Sequence, residues 1–416
     1  MSTASGEVIR ILRLAAGGDG VGRLEDGRAV FVPRTAPGDL VELARVRSHR
    51  RFARALMGRV IEPAAGRMVP RCPHYTRDEC GGCQLQHLDG ETQRAARAGF
   101  VGEALRRMAR LDRPDPPLAA APDDWGYRSK LTLHASPDGR RIGLHPFDRP
   151  DQLFDLEWCY ITSPRLMELW REVRRRRRLL PTALQRLVLR LDRSGGRHLV
   201  AMVAGTAQWR SARELAGMLA SAGVPATLWW QPEGGAARSV AGSDGAFPAT
   251  VFEQVHPAMG DRAREAALDA LGPIAGLHVW DLYAGIGETT ARLVAAGASV
   301  ESVESDVRAV RLADERGPAP SPVIRRHAGR TEDVVASLRD PAAVITNPPR
   351  TGMDERVTAD LRARRPRRIV YVSCDPATLA RDIVRLGSGF EVRSVEAFDL
   401  FPQTAHVESV TLLEAA

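Results

Sequence analysis

The stretch VWDLYAGIGETT, residues 279–290, decides how this chain folds. It reads as a buried strand running through Gly285-x-Gly287 into a helix. Glycines at such a turn let the backbone approach a ligand, and the helix N-terminus adds N–H donors. Around it, apolar strand candidates alternate with helical stretches: LHVWDLY, ASVESVES, SPVIRRH, AAVITNPP, RRIVYVSC, FEVRSVEAFDLF and HVESVTLL. Helices separate the first six. The pattern predicts a parallel, doubly wound α/β sheet over residues 251–416, its last strand following by hairpin.

Ligands bind such sheets beyond the carboxyl ends of the strands. Glu304 closes the second strand, in SVESVESD, where a carboxylate can accept hydrogen bonds from ribose hydroxyls. No third glycine follows at the dinucleotide spacing, so S-adenosylmethionine suits the site better than a nicotinamide cofactor. VITNPPRTGM (344–353) sets Asn347 before two prolines in a rigid loop at the same edge. YVSCDPATLARD (371–382) sets Cys374 just before a helix opened by Pro376. A thiol near a helix N-terminus can have its pKa lowered, making the thiolate available as a nucleophile. DLFPQTAHVES (399–409) carries Asp399, His406 and Glu408 to that edge, with Glu408 the candidate base.

Outward from this region the texture changes. Residues 1–62 are five short strand candidates between Gly/Asp/Pro turns, which predicts a small, five-stranded, OB-like β-barrel with arginines on its outer positions. Residues 63–250 read as an α+β domain. It opens on a cysteine-bearing loop, then a helix at 93–110 that is expected to pack on the catalytic domain, a Pro-rich break, a strand meander, and a helix at 163–178 ending in Arg174–Arg178. The formal net charge is +8, which suits a polyanionic partner. The chain carries one lysine, Lys130, against an otherwise all-arginine basic set, which fits a codon bias as well as a function. No apolar run approaches the ~20 residues of a membrane span, and no signal peptide opens the sequence. A cytoplasmic monomer is expected.

In a reducing compartment, clustered cysteines mean metal or catalysis more often than disulfides. RCPHYTRDECGGCQLQH (71–87) holds Cys72, Cys80 and Cys83; Cys159 stands alone in DLEWCYI. Four cysteines with one C-x2-C pair suit zinc or an iron–sulfur cluster equally.

The segments DLYAGIG, NPPRTG, SCDPATLARD and DLFPQTAHVE, in this order, resemble the uracil-C5 RNA methyltransferase family, which makes 5-methyluridine in ribosomal or transfer RNA. GDGVGRLEDGRAVFVPRTAPGDLVE (18–42) resembles that family's RNA-binding TRAM domain. RCPHYTRDECGGCQLQH resembles its cluster segment, YRSKLTLH its central domain, and FEQVHP its entry to the catalytic domain. The resemblance implies Cys374 as nucleophile and Glu408 as base. It implies S-adenosylmethionine held by Gln254, Tyr283, Gly285, Glu304 and Asn347, and a [4Fe-4S] cluster on Cys72, Cys80, Cys83 and Cys159. The expected substrate is a uridine in structured RNA, with ribosomal RNA ranked ahead of transfer RNA.

The sequence departs from the family pattern at four places. Asn347 replaces the Asp of D-P-P-R, and His256 replaces the Asn of Gln-x-Asn. Gly329 stands in HAGRTED, where an acid or amide is expected, and the Cys72–Cys80 interval is longer than usual. The first three motivate an alternative reading, an RNA-binding protein with a cofactor-deficient methyltransferase domain. A radical S-adenosylmethionine enzyme ranks lower, because C-x7-C-x2-C and a doubly wound sheet do not match its pattern.

Overall fold

The strand-turn-helix at 279–290 sits at the centre of the C-terminal sheet. In the computed structural model the described residues are 2–4, 6–242, 252–318 and 323–416. Seven strands follow the chain: β1 (His278–Leu282), β2 (Ser299–Glu304), β3 (Ile324–Ala328), β4 (Ala343–Thr346), β5 (Arg368–Ser373), β6 (Phe390–Phe398) and β7 (Glu408–Ala415). Their order is β3-β2-β1-β4-β5-β7-β6. The first five are parallel, and β7 runs antiparallel between β5 and β6. The chain reverses its winding between β1 and β4, which is where open α/β sheets form their ligand crevice.

The near-continuous apolar run of β1 is what a strand buried on both faces requires. Trp280 and Leu282 join one core with Tyr371, Leu379 and Leu413, while Val279 joins the other with Val300, Ile345 and Val370. The helix Gly90–Arg107 contributes Val101 and Leu105 to the first of these cores. The Pro-rich break also hides an element that the sequence reading missed: Leu118–Ala119 is a short strand pairing in parallel with Ala397–Phe398 of β6.

The chain forms two compact units. One holds Arg94–Ala121, Val251–Phe401 and His406–Ala416; the other holds Met1–Gln93, Pro122–Thr250 and Pro402–Ala405. In the latter, the N-terminal sheet has seven strands where five were expected. Ser2–Ala4 adds to one edge, and the first expected strand is broken into Val8–Arg10 and Arg13–Leu14. The break has a backbone cause: Ile11 N–H donates to Asp39 O while Leu12 N–H donates to Val21 O (both 2.8 Å), so the strand changes partners there. Val8–Arg10 accordingly pairs with Leu40–Ser48, and Arg13–Leu14 with Gly20–Arg23. The central sheet has seven strands, with the helices Pro164–Arg175 and Ala212–Ser221 packed through Trp170, Leu215 and Leu219 onto one apolar face. The Arg174–Arg178 run spans the end of the first helix and a 3-10 turn, Arg177–Leu179. Among the described residues no helix is long and apolar enough to cross a membrane.

Asp399, expected near the reactive edge, is committed elsewhere. It is fully buried and pairs with the equally buried Arg97 at 2.9 Å. Removing one partner of a buried pair leaves an uncompensated charge. Arg97→Met is therefore expected to destabilise the protein by about 3–5 kcal/mol in urea unfolding.

Candidate active site

Register brings Cys374 and Glu408 together. Ser373 on β5 pairs with Ser409 on β7 in an antiparallel ladder, and Ser409 Oγ donates to Ser373 O at 3.3 Å. Extending that ladder by one residue sets Cys374 across from Glu408, where cross-strand side chains share a face.

Burial governs their charges. Glu408 is 2% exposed, and burial pushes its carboxyl up to about 8, against the pull of the Arg350 guanidinium. The Cys374 thiol is pushed up to about 11, first by burial and then by the Glu408 charge, with Arg350 again opposing. This corrects the expectation of a thiol acidified by its helix. The Asp375 carboxylate caps the helix Pro376–Leu386, accepting the Thr378 N–H at 2.9 Å, and its own charge raises the thiol further. Arg350, in NPPRTG, is a site residue to which the sequence alone assigns no role. Its Nη2 stands 3.5 Å from His406 Nε2. A cation just after Pro-Pro at a sheet edge was the available signal.

The crevice side is assembled from β1, β2 and β4. Gly285 N–H donates to Glu304 Oε2 at 2.9 Å, and Oε1 accepts from Asp306 N–H (2.7 Å) and Ser305 Oγ (3.1 Å). A carboxylate has about four acceptor positions, so a ribose hydroxyl would take the remaining one or displace Ser305. Tyr283, directly after β1, holds a left-handed backbone (φ 61°), a strain typical of functional turns. Its half-buried hydroxyl is bonded to Thr331, and burial pushes it up to about 12. Gly287 (φ 78°) needs its missing side chain, since a Cβ there would lie 3.0 Å from Ala313 Cβ. Asn347 extends β4: its N–H donates to Leu282 O at 3.2 Å, and its side chain is exposed. Gly329 N–H donates to Glu304 O at 2.9 Å, so this departure holds the strand end through backbone alone. Gln254 precedes the helix Pro257–Leu271 and packs against Gly260; His256 is the buried N-cap of that helix. Tyr283, Gly285, Glu304 and Asn347 thus meet at neighbouring strand ends.

The other four cysteines line one pocket in the other unit. Cys72, Cys80, Cys83 and Cys159 share a cavity of about 360 Å³, including its open mouth, with Tyr75 and Trp158. The long Cys72–Cys80 interval is taken up by the one-turn helix Pro73–Arg77, which returns the chain to the same pocket. His74 ties the two segments: Glu157 N–H donates to its Nε2 at 3.0 Å, and its Nδ1 meets Asp78 Oδ2 at 2.6 Å. Burial pushes the thiols of Cys72, Cys80 and Cys83 upward, Cys80 to about 12. Among the described residues no group of three or more His, Cys, Asp or Glu is placed to hold a metal ion. The thiols surround a cavity instead of closing on one point, and the donor set suits a four-cysteine cluster in number and type.

Comparison with known proteins agrees with this geometry. The tRNA (Uracil-5-)-methyltransferase family profile matches residues 286–416, and the TRAM domain profile matches residues 6–57. The 23S rRNA (uracil(1939)-C(5))-methyltransferase RlmD of Dechloromonas aromatica is 30% identical over 421 residues, covering 94% of this chain and 95% of that protein. The protein of the same name from Halomonas elongata is 33% identical over 429 residues, covering 96% and 88%. Among solved structures, Pyrococcus abyssi tRNA (uracil-54, C5)-methyltransferase in complex with S-adenosyl-L-homocysteine superposes with a TM-score of 0.71 at 19% identity. That match covers 97% of this chain and 100% of the other, and it shows the shared fold.

Glu408 titrates higher in the fold than in an unfolded chain, so its neutral form is the one the fold favours. That contribution is complete below the ordinary carboxylate pKa and is lost as pH rises through about 8. Glu408→Gln, which cannot ionise, is expected to flatten this alkaline fall in melting temperature. An unchanged pH dependence in the variant would count against a buried, titrating Glu408.

Proposed function

This chain belongs to the uracil-C5 RNA methyltransferase family and is an S-adenosylmethionine-dependent RNA methyltransferase, and we propose that it methylates uridine C5 in structured RNA through a covalent Cys374–C6 adduct, with Glu408 removing the C5 proton. The placement of Cys374 and Glu408 one step beyond the Ser373–Ser409 pair, where the Glu408 charge acts on the thiol, carries this reading. Ribosomal RNA ranks ahead of transfer RNA, on the activity named for the bacterial relatives.

The uracil ring explains the need for both groups. C5 is too weak a nucleophile to attack a methyl sulfonium unaided. The Cys374 thiolate adds to C6, forming the S–C6 bond and moving the ring π electrons toward C5 and O4. Bound S-adenosylmethionine would supply the methyl group that C5 bonds, its sulfonium S–CH3 bond breaking to leave S-adenosylhomocysteine. Glu408 takes the C5 proton, its electron pair re-forms C5=C6, and the C6–S bond breaks to free Cys374. Arg350 supports the anionic form of both groups, which burial otherwise disfavours. Glu304, Gly285, Tyr283, Asn347 and Gln254 are the proposed cofactor contacts. The target base must leave its stack to reach this edge, and the N-terminal and central regions, 1–62 and 63–250, would hold the flanking RNA.

Cys72, Cys80, Cys83 and Cys159 would hold a [4Fe-4S] cluster, which would tie residues 72–83 to the Cys159 segment as a structural element. The reading as a cofactor-deficient RNA-binding protein is weakened by the intact Gly285–Glu304 contact. Asn347, which cannot pair with a cationic amine as a carboxylate does, is expected to lower cofactor affinity without abolishing it.

Cys374→Ala is expected to abolish methyl transfer from labelled S-adenosylmethionine to RNA lacking the modification, and unchanged transfer would sink the mechanism. Glu408→Gln should instead accumulate a denaturation-resistant protein–RNA adduct, seen as a shifted band on a gel. Because the base must be ionised to accept a proton, the single-turnover rate should rise with pH through about 8. Protein purified without oxygen should absorb broadly near ~400 nm; a colourless protein carrying stoichiometric zinc would overturn the cluster assignment.

A further inference from the structure

The helix Pro376–Leu386 begins two residues after Cys374 and grips the loop that carries Arg350. Three contacts from two successive turns fall on the backbone of that loop. Arg381 Nη2 donates to Thr351 O at 2.7 Å, Met353 N–H donates to Asp382 Oδ2 at 2.8 Å, and Arg385 Nη1 donates to Met353 O at 3.3 Å. Asp382 is fully buried. Its Oδ2 also accepts the Tyr371 hydroxyl at 2.8 Å, and its Oδ1 accepts from Arg381 Nε at 2.9 Å. Tyr371 lies on β5, the strand that ends at Cys374. One carboxylate thus joins the strand before the thiol, the helix after it and the loop beside it.

The loop is shaped to be held in this way. Gly352 N–H donates to Pro349 O at 2.8 Å, closing a turn, and Gly352 has φ 75°. A Cβ there would lie 2.3 Å from Arg381 Nη2 and 2.5 Å from Asp382 Oδ2, so only glycine admits this approach. The other end of the loop is tied to β1 by Asn347 N–H and Leu282 O. Between these two anchors stands Arg350, whose charge acts on Cys374 and Glu408 together.

We propose that Arg381, Asp382 and Arg385 form a clamp that positions the Asn347–Met353 loop, and with it Arg350, against Cys374, with Asp382 as the central positioning residue. The geometry of the clamp stands by itself; its catalytic consequence rests on Cys374 being the nucleophile. Loosening the clamp moves the cation away from the thiol, which leaves less thiolate at a given pH and misplaces the loop at the edge of the cofactor crevice.

The test uses the full chain. Alkylation of Cys374 by iodoacetamide is followed by mass spectrometry against pH, without RNA or cofactor, and single-turnover methyl transfer is measured beside it. Asp382→Ala and Arg381→Met should move the alkylation profile to higher pH and slow methyl transfer roughly tenfold or more. Asp382→Asn, which keeps acceptors for Met353 and Tyr371, should retain most of both. If Asp382→Ala does not fold, the partly exposed Arg381→Met carries the test, because it removes one loop contact and leaves the buried carboxylate in place. Variants that melt lower yet keep the alkylation profile and the rate of the natural protein would overturn the positioning role. Activity surviving in Cys374→Ala would refute the nucleophile assignment, and the alkylation profile of the clamp variants would still decide the clamp.

Discussion

The antiparallel pairing of β5 with β7 is the constraint on which the candidate site depends. A doubly wound sheet of parallel strands puts every strand end on one edge, but it gives neighbouring ends no common register in sequence. Inserting β7 antiparallel between β5 and β6 changes that. The start of β7 meets the end of β5, so residues 374 and 408 become neighbours although 33 residues of helix, strand and loop separate them in the chain. Slipping the ladder by one residue would turn Glu408 to the opposite face.

That proximity has an electrostatic consequence. A thiol and a carboxylate set side by side in a buried place resist ionising together, and both are pushed toward their neutral forms. A cation on the adjoining loop offsets part of this, and the loop is pinned at one end by β1 and at the other by the helix that follows Cys374. Reactivity and scaffold are joined in a single helix: its cap raises the thiol, while its second turn holds the opposing charge in place.

The cysteine pocket follows another logic. Its four thiols come from two segments that are distant in sequence, and His74 links them by bonding across to Glu157. The interval between Cys72 and Cys80 is longer than the usual family gap. A one-turn helix absorbs the excess and returns the chain to the same cavity, so spacing along the chain was a poor guide to spacing in the pocket.

Much of the catalytic fold was legible in the sequence, because alternating apolar strands and helices leave few topologies open and the reversal of winding locates the ligand edge. Gly285, Glu304 and Cys374 could be placed at strand ends by the same reasoning. The sequence could not show that the Cys374 thiol is pushed up, because burial and the Glu408 charge raise it, and both depend on packing. Nor could it show that Asp399 belongs to a buried pair with Arg97, that Leu118–Ala119 adds a strand, or that the Arg350 charge acts on the thiol. Local pattern by itself determined which elements form and which residues stand at their ends, because periodicity and turn chemistry act over a few residues. Only the tertiary structure decided which charges meet and which groups lose their water, because those energies arise between residues that the chain keeps far apart.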